Sequence, residues 1–474
     1  MSTKKNGIFW NLVETVGVRI LSVSTYFILA TLLEPDAFGL VALTSTLVFI
    51  TEVLIDQGFA VALVQKADIK QSHQSSAYIG SIAMGLLFFT LVYSTAPLLA
   101  GLFSEPELKN LLRVHSLSFV ISAFSRVPAA MLQREQKFRK IAVIRTIGSC
   151  LSCFVSIIAA FQGLGVWAIV IQYITFNLVQ AILFHYATSW RPTASFSWAS
   201  YKEIFQVGSS VVGGNLIQNL IRNTDSLVIG YFMGTQALGY YSLAQKAFVI
   251  LSDLIDMTFS KVSFTLYSSI QHKREQLASE LEKFSTYTAY AAMPVFTAAI
   301  LFIAPVNDIL FDGKWTESVP VVQILAIAGI ILSLNNNLYM CLLALGHFKP
   351  AFKFKLLHFT LALIMMMIAV QFSISAVAIA NVVAAAIMMP LLLNHVVRHT
   401  GTSVRAHLKG ILMPLFACVM IGAVLFFCNR YIVAIDLFDL MWQGILLCGL
   451  YIGFIFIVNP ELLNFKKKRA IADI

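Results

Sequence analysis

Ionisable side chains stand inside stretches of this 474-residue chain that are otherwise apolar. A charge at the centre of a bilayer costs at least about 2.5–3.5 kcal/mol, so such residues face protein or water and read first as functional. They are Glu14, Arg19, Glu52, Asp56, Arg113, Arg126, Arg145, Arg222, Asp225, Lys246, Asp253 and Asp256, and the later apolar stretches are nearly free of charge. At about 100° per residue, Asn11, Glu14, Thr15, Arg19, Ser22, Thr25 and Tyr26 share one stripe of a helix. Asn215, Gln218, Asn219, Arg222 and Asp225 share a stripe of a second helix, and His115, Ser118, Ser122, Ser125 and Arg126 one side of a third. Arginine keeps its charge and offers a planar fork to phosphate oxygens. Arg19, Arg222 and Arg126, with Asn215 and Asn219 beside them, are therefore candidates to hold an anionic headgroup in a water-filled cleft. Glu14, Asp56, Asp225, Asp253 and Asp256, with Lys246, suit two roles equally: carrying a coupling cation, or pairing internally as Arg222 with Asp225 and Lys246 with Asp253. Arg113 and Arg145 lie near the ends of their stretches, where a long side chain snorkels to the interface.

Other chemistries lack their residues. There is no G-x-x-x-x-G-K-[ST] phosphate loop and no H-E-x-x-H helix, so neither an ATP motor nor a zinc protease is encoded. No catalytic residue, cofactor or metal site is expected. His395 and His399 are spaced i,i+4, but beside Arg398 at a basic edge they read as surface charge. Cys150 and Cys153 form a C-x-x-C inside an apolar helix, where packing accounts for them.

Such residues need helices that cross a bilayer to position them. At 58% hydrophobic and 12% charged, the chain lies outside the soluble range of roughly 45–50% apolar and 25% charged. About fourteen stretches approach the ~20 residues needed for a span: 8–33, 39–64, 77–99, 111–133, 141–161, 165–188, 205–230, 237–259, 286–311, 319–345, 354–372, 374–396, 411–428 and 437–458. Lys and Arg concentrate on alternate connections, about 24 against about 3, which places both termini in the cytoplasm. The net charge of +10 thus belongs to loops facing anionic lipid and does not point to nucleic acid. Glu14 and Arg19 interrupt the first stretch, which reads as an uncleaved span, not a signal peptide.

The spans are duplicated. Ala37, Gly39, Leu43, Ile50, Leu54, Ile55, Asp56 and Phe59 recur as Ala237, Gly239, Leu243, Ile250, Leu254, Ile255, Asp256 and Phe259, an offset of about 200. Ala96-Pro97 and Leu102-Phe103 reappear as Ala304-Pro305 and Leu310-Phe311. Positions 15, 19, 22 and 25 land on Asn215, Asn219, Arg222 and Asp225, so the two equivalent helices carry polar stripes expected to meet across a central cavity. The expected fold is an all-α polytopic membrane protein: an N-lobe of helices 1–6 (1–196), a C-lobe of helices 7–12 (197–397), and two additional helices with a basic cytoplasmic tail (398–474).

Five segments carry a resemblance: ILATLLEPDAFGLVAL (28–43), DQGFAVALVQ (56–65), MLQREQKFRKIA (131–142), GLGVWAIVIQ (163–172) and RNTDSLVIGYFMGTQALGYYSLAQK (222–246). In these the chain resembles the Wzx-type lipopolysaccharide and exopolysaccharide flippases, in the polysaccharide transporter family of the multidrug/oligosaccharidyl-lipid/polysaccharide (MOP) exporter superfamily. The resemblance implies a MOP/MATE-like fold whose two six-helix lobes rock to open a central cavity to each side in turn. It implies a flippase of the bacterial inner membrane, not an enzyme, moving polyprenyl-diphosphate-linked oligosaccharide repeat units for polysaccharide biosynthesis. Its partners would be the lipid-linked oligosaccharide, membrane lipids and other polysaccharide assembly proteins. An inside-negative potential favours outward movement of negative charge by about 2.3 kcal/mol per charge per 100 mV.

Three other readings compete. A cation-coupled exporter of small amphiphilic compounds is opposed by arginine in the candidate cavity, since such cargo is often cationic. A membrane glycan polymerase, ligase or glycosyltransferase needs a sizeable extracytoplasmic site, whereas the outward connections here are short. A non-transporting scaffold of a glycan assembly complex predicts that Arg19→Ala and Arg222→Ala leave polymer output untouched.

Overall fold

A chain this apolar must satisfy its backbone hydrogen bonds within each spanning segment, and helices do so. The computed structural model describes residues 2–56, 58–431 and 437–458, and fifteen α-helices are seen among them. They are α1 (Ser2–Leu32), α2 (Pro35–Asp56), α3 (Phe59–Gln65), α4 (Gln71–Leu102), α5 (Pro106–His115), α6 (Leu117–Arg134), α7 (Phe138–Phe161) and α8 (Trp167–Ala187). Then follow α9 (Trp198–Ser269), α10 (Arg274–Phe311), α11 (Ser318–Ala344), α12 (Phe348–Ala369), α13 (Ile374–Thr400), α14 (Val404–Tyr431) and α15 (Leu437–Val458). Among the described residues ten helical stretches are long and apolar enough to cross a membrane, and α1 adds the shorter Val16–Leu32. The fold is all-α and multi-pass.

Each expected span has a helical counterpart, with three differences. The second is divided into α2 and α3 at Gly58, which is left-handed at φ 65°. The fourth is divided into α5 and α6 by Ser116. The seventh and eighth run together as α9, bent only at Gly234, whose φ of 83° and ψ of −179° lie in a region essentially reserved for glycine. Helices also overshoot the bilayer: the 38 residues of α10 rise about 57 Å against ~30 Å of hydrocarbon. The repeated prolines take equivalent places, Pro97 inside α4 and Pro305 inside α10, each shortly before its helix ends at Leu102 and Phe311.

The chain separates into two compact units, residues 1–242 and 243–474. In the first, α7 packs on α1 and α8, and α6 packs on α3, α4 and α8. Lipid is as apolar as a leucine side chain, so such helices associate through close packing and polar contacts. Small buried residues supply the close approach, among them Ala77, Ala96, Ala123, Ala130 and Ala168. The start of α2 and the part of α9 just after Gly234 touch backbone to backbone at repeat-equivalent glycines. A methyl group on Gly39 would overlap the Thr235 carbonyl, and one on Gly239 would overlap the Pro35 carbonyl. That reciprocity is what a local two-fold exchanging residues i and i+200 dictates. Thr235 Oγ1 also donates to Asp36 and, at 2.7 Å, to Glu105 Oε1.

In the second unit, α11 packs on α10 and α13, α12 on α13, and α14 on α10 and α15. Ile255 of α9 sits with Ala292 and Phe296 of α10 and Ala326 of α11. The last helix is tied in by Tyr451, whose hydroxyl donates to the Tyr290 carbonyl of α10 at 3.1 Å.

Candidate functional site

Polar residues of the spans form three sets. The first lies on α1 and on the part of α9 before Gly234, the repeat-equivalent helices. Arg19 is half-buried on α1. Glu14, a turn earlier, accepts from Arg145 Nη1 of α7 at 2.5 Å. On α9, Arg222 is exposed and Asn219 half-buried, the latter's carbonyl accepting from Asn223 Nδ2 at 2.8 Å. Asp225 accepts from Tyr241 Oη and from the Ser226 backbone N–H, both at 3.0 Å. The side chains of Asp56 and Asn215, like those of Asn11, Thr15 and Gln218, lie outside the described residues.

The second set is inside the first unit. Tyr173 of α8 donates to Glu52 Oε2 of α2 at 2.6 Å, and the Arg126 guanidinium of α6 acts on the same phenol. The His115 ring of α5 packs edge-on against Tyr173, with centroids 4.7 Å apart, and Asn177 Nδ2 donates to the Tyr173 carbonyl at 2.9 Å. Arg126 thus stands near a polar knot formed by α2, α5 and α8. Ser118 and Ser122, on its stripe, are buried in the same unit. Arg113 instead lines an open cavity of about 430 Å³, its guanidinium 4.5 Å over the Tyr93 ring.

The third set is in the second unit. Asn336 Nδ2 of α11 donates to Asp256 Oδ1 and to Ser260 Oγ of α9, both at 2.8 Å. Its neighbours reach elsewhere: Asn335 donates to the Ala385 carbonyl of α13 at 3.1 Å, and Asn337 donates to Ser285 Oγ at 2.8 Å while accepting from Tyr267 Oη at 2.9 Å. Asp256, Ser260, Ser263, Thr288, Ser333 and Asn336 line a small cavity of about 10 Å³, the room of a single water or small ion. One carboxylate among neutral oxygens is the donor set of a monovalent cation or a proton. Lys246 is exposed and Asp253 half-buried on the same helix. Asn335, Asn336 and Asn337 escape a reading based on charge; their signal was three consecutive amides within an apolar span.

The polysaccharide biosynthesis protein family profile matches residues 28–320. The chain is 26% identical over 349 residues to the teichuronic acid biosynthesis protein TuaB of Bacillus subtilis, covering 73% of this chain and 72% of that protein. It is 24% identical to the lipopolysaccharide biosynthesis protein WzxC of Escherichia coli, over 74% and 71% of the two chains. Against the succinoglycan biosynthesis transport protein ExoT of Rhizobium meliloti it is 24% identical, over 70% and 67%. Among solved structures, the fold is similar to the lipid II flippase MurJ in an inward closed conformation, with TM-score 0.76 and 16% identity over 96% of this chain and all of that one. An inward-facing multidrug resistance MATE transporter of the MOP superfamily gives TM-score 0.59 and 15% identity over 84% and 96%.

Proposed function

As this chain belongs to the polysaccharide biosynthesis family of the MOP exporter superfamily, we propose that it translocates polyprenyl-diphosphate-linked oligosaccharide repeat units across the cytoplasmic membrane by alternating access. It is a transporter and not an enzyme, in keeping with the flippase family. The observation that carries the cargo's charge is the polarity of two equivalent helices. Arg19 and Asn11 on α1, and Arg222, Asn215 and Asn219 on the repeat-equivalent part of α9, stand within stretches whose sequence reads as membrane spans. A helix facing only lipid would not keep Arg19 or Arg222. Both arginines, with Asn215 and Asn219, suit contact with a diphosphate while the polyprenyl tail remains in lipid. The Asp256 cavity suits a coupling cation or proton, and Glu14 and the Glu52 knot suit charge balance within the first unit. Both termini are cytoplasmic on this reading, and outward movement of the anionic cargo draws on the membrane potential.

The test is transfer of a polyprenyl-diphosphate-linked oligosaccharide between leaflets of sealed vesicles holding the purified protein, with Arg222→Ala beside the wild type. Transfer by the wild type that falls at least about tenfold in the variant, the loss of one charge-assisted contact, is the expected result. Transfer no faster than in protein-free vesicles overturns the proposal. Equal rates in both proteins overturn the role of Arg222 alone.

A further inference from the structure

The i,i+4 pair His395 and His399 does not stand alone. His347, at the turn that opens α12, brings a third imidazole to it across the second unit. The His347 and His399 ring centroids are 4.5 Å apart and those of His395 and His399 4.7 Å, and one ligand nitrogen of each residue lies within 4.8 Å of the other two. Helical geometry makes half the arrangement, since residues four apart on α13 stack on one face. The tight turn Leu345–Gly346–His347 makes the other half: Gly346 is left-handed at φ 77°, and the His347 backbone N–H is anchored on the Leu342 carbonyl at 2.9 Å.

Two nitrogens of these rings are buried without a hydrogen-bond partner among the described residues, His347 Nδ1 and His395 Nε2. Buried polar atoms are normally paired, and one left without a partner is destabilising. Hydrogen bonding among the three rings does not account for both. A shared ligand does, and three neutral imidazoles are the donors of a borderline transition-metal dication. We propose that His347, His395 and His399 form a binding site for a divalent metal ion of the Zn²⁺ class. Three nitrogens at the usual 2.0–2.1 Å from a tetrahedral ion stand about 3.4 Å from one another, so on this proposal the observed spread of up to 4.8 Å narrows when the ion binds.

The surroundings decide which ions fit. Arg398 adjoins His399 in sequence, and Arg274 Nη2 donates to the Arg398 carbonyl at 3.2 Å, so two guanidiniums stand close to the rings. They oppose any cation. Mg²⁺ and Ca²⁺ seek oxygen ligands and gain nothing here to offset that repulsion, whereas imidazole favours Zn²⁺, Cu²⁺ and Ni²⁺. The same guanidiniums favour an anionic oxygen in the fourth position. His399 is exposed and His347 and His395 are half-buried, which leaves a path for entry. An ion held there ties the turn before α12 to the last turns of α13.

The test uses full-length protein without a histidine tag. After incubation with Zn²⁺ and gel filtration, the wild type should retain one ion per chain by elemental mass spectrometry. The Co²⁺-loaded protein should show visible bands of tetrahedral nitrogen coordination. His347→Gln and His399→Gln should each weaken Zn²⁺ binding by more than about tenfold and abolish those bands. Arg398→Ala removes a repelling charge and leaves the ligands in place, so it should tighten binding, which keeps the test decisive if a histidine variant folds poorly. Retention well below one ion by the wild type, or equal retention by the histidine variants, overturns the proposal.

Discussion

Glu203 shows what a single charge does where three helices converge. It opens α9 and accepts from Lys66, just past the end of α3, and from His73 Nε2 in the first turn of α4 at 3.0 Å. Lys66, then His73, hold its carboxyl below the ordinary value of 4.5. A lowered carboxylate contributes stability above its unfolded value and loses it as pH falls through the lowered one. The melting-temperature gap between wild type and Glu203→Gln should therefore be present at neutral pH and close below about pH 4.5; a gap unchanged in acid would count against the pairing. Charged residues inside spans were legible because hydrocarbon makes each one conspicuous. Their partners were not, since Glu14 meets Arg145 across 131 positions and periodicity relates only neighbours on one helix. Asn335 to Asn337 were missed for a related reason: an amide carries no charge, yet inside a membrane it must still find its hydrogen bonds. His347 lies 48 residues before His395, which no spacing rule joins.

At the scale of the helix, Arg134 does for α3 what a C-terminal cap does elsewhere. Its guanidinium donates to the carbonyls of Leu63, Val64, Lys66 and Ala67 at 2.5–3.3 Å, taking up acceptors that a seven-residue helix leaves open at its end. Arg134→Ala should lower stability by about 1.5–3 kcal/mol, the worth of charged hydrogen bonds. Arg134→Lys should recover only part, because one ammonium cannot span four carbonyls. Thermal unfolding in detergent reads both; a variant as stable as the wild type would deny the cap. Helix existence and order followed from apolar length, because the bilayer imposes one thickness on every span. Where helices break did not follow. Ser116 and Gly234 interrupt or bend without a proline, and α10 runs on beyond the length that a bilayer needs.

For the whole molecule, the duplication is the most informative pattern, and it survives in atomic contacts as well as in letters. Gly39 against Thr235 and Gly239 against Pro35 are one contact seen twice. Gly39→Leu and Gly239→Leu should each destabilise by about 1–3 kcal/mol, the usual cost of overpacking. Together they should cost less than the sum, because either one already forces the backbones apart. Additive losses, measured by thermal or denaturant unfolding of the three variants, would show the two glycines to be independent. How much of the candidate transport site was legible follows the same line: the repeat offset pairs Arg19 with Asn219 and Ser22 with Arg222, so it marks two equivalent polar stripes and not two equivalent arginines, while the side chains of Asp56 and Asn215 are not described. A contact between equivalent positions is also the signature of an isologous interface, in which each subunit of a two-fold dimer offers the other the same patch. In such a patch a single position serves both sides of the seam at once. In this chain the two sides are separate positions, Gly39 and Gly239, so a substitution can strike one side and spare the other, and the single and double variants read the seam one half at a time.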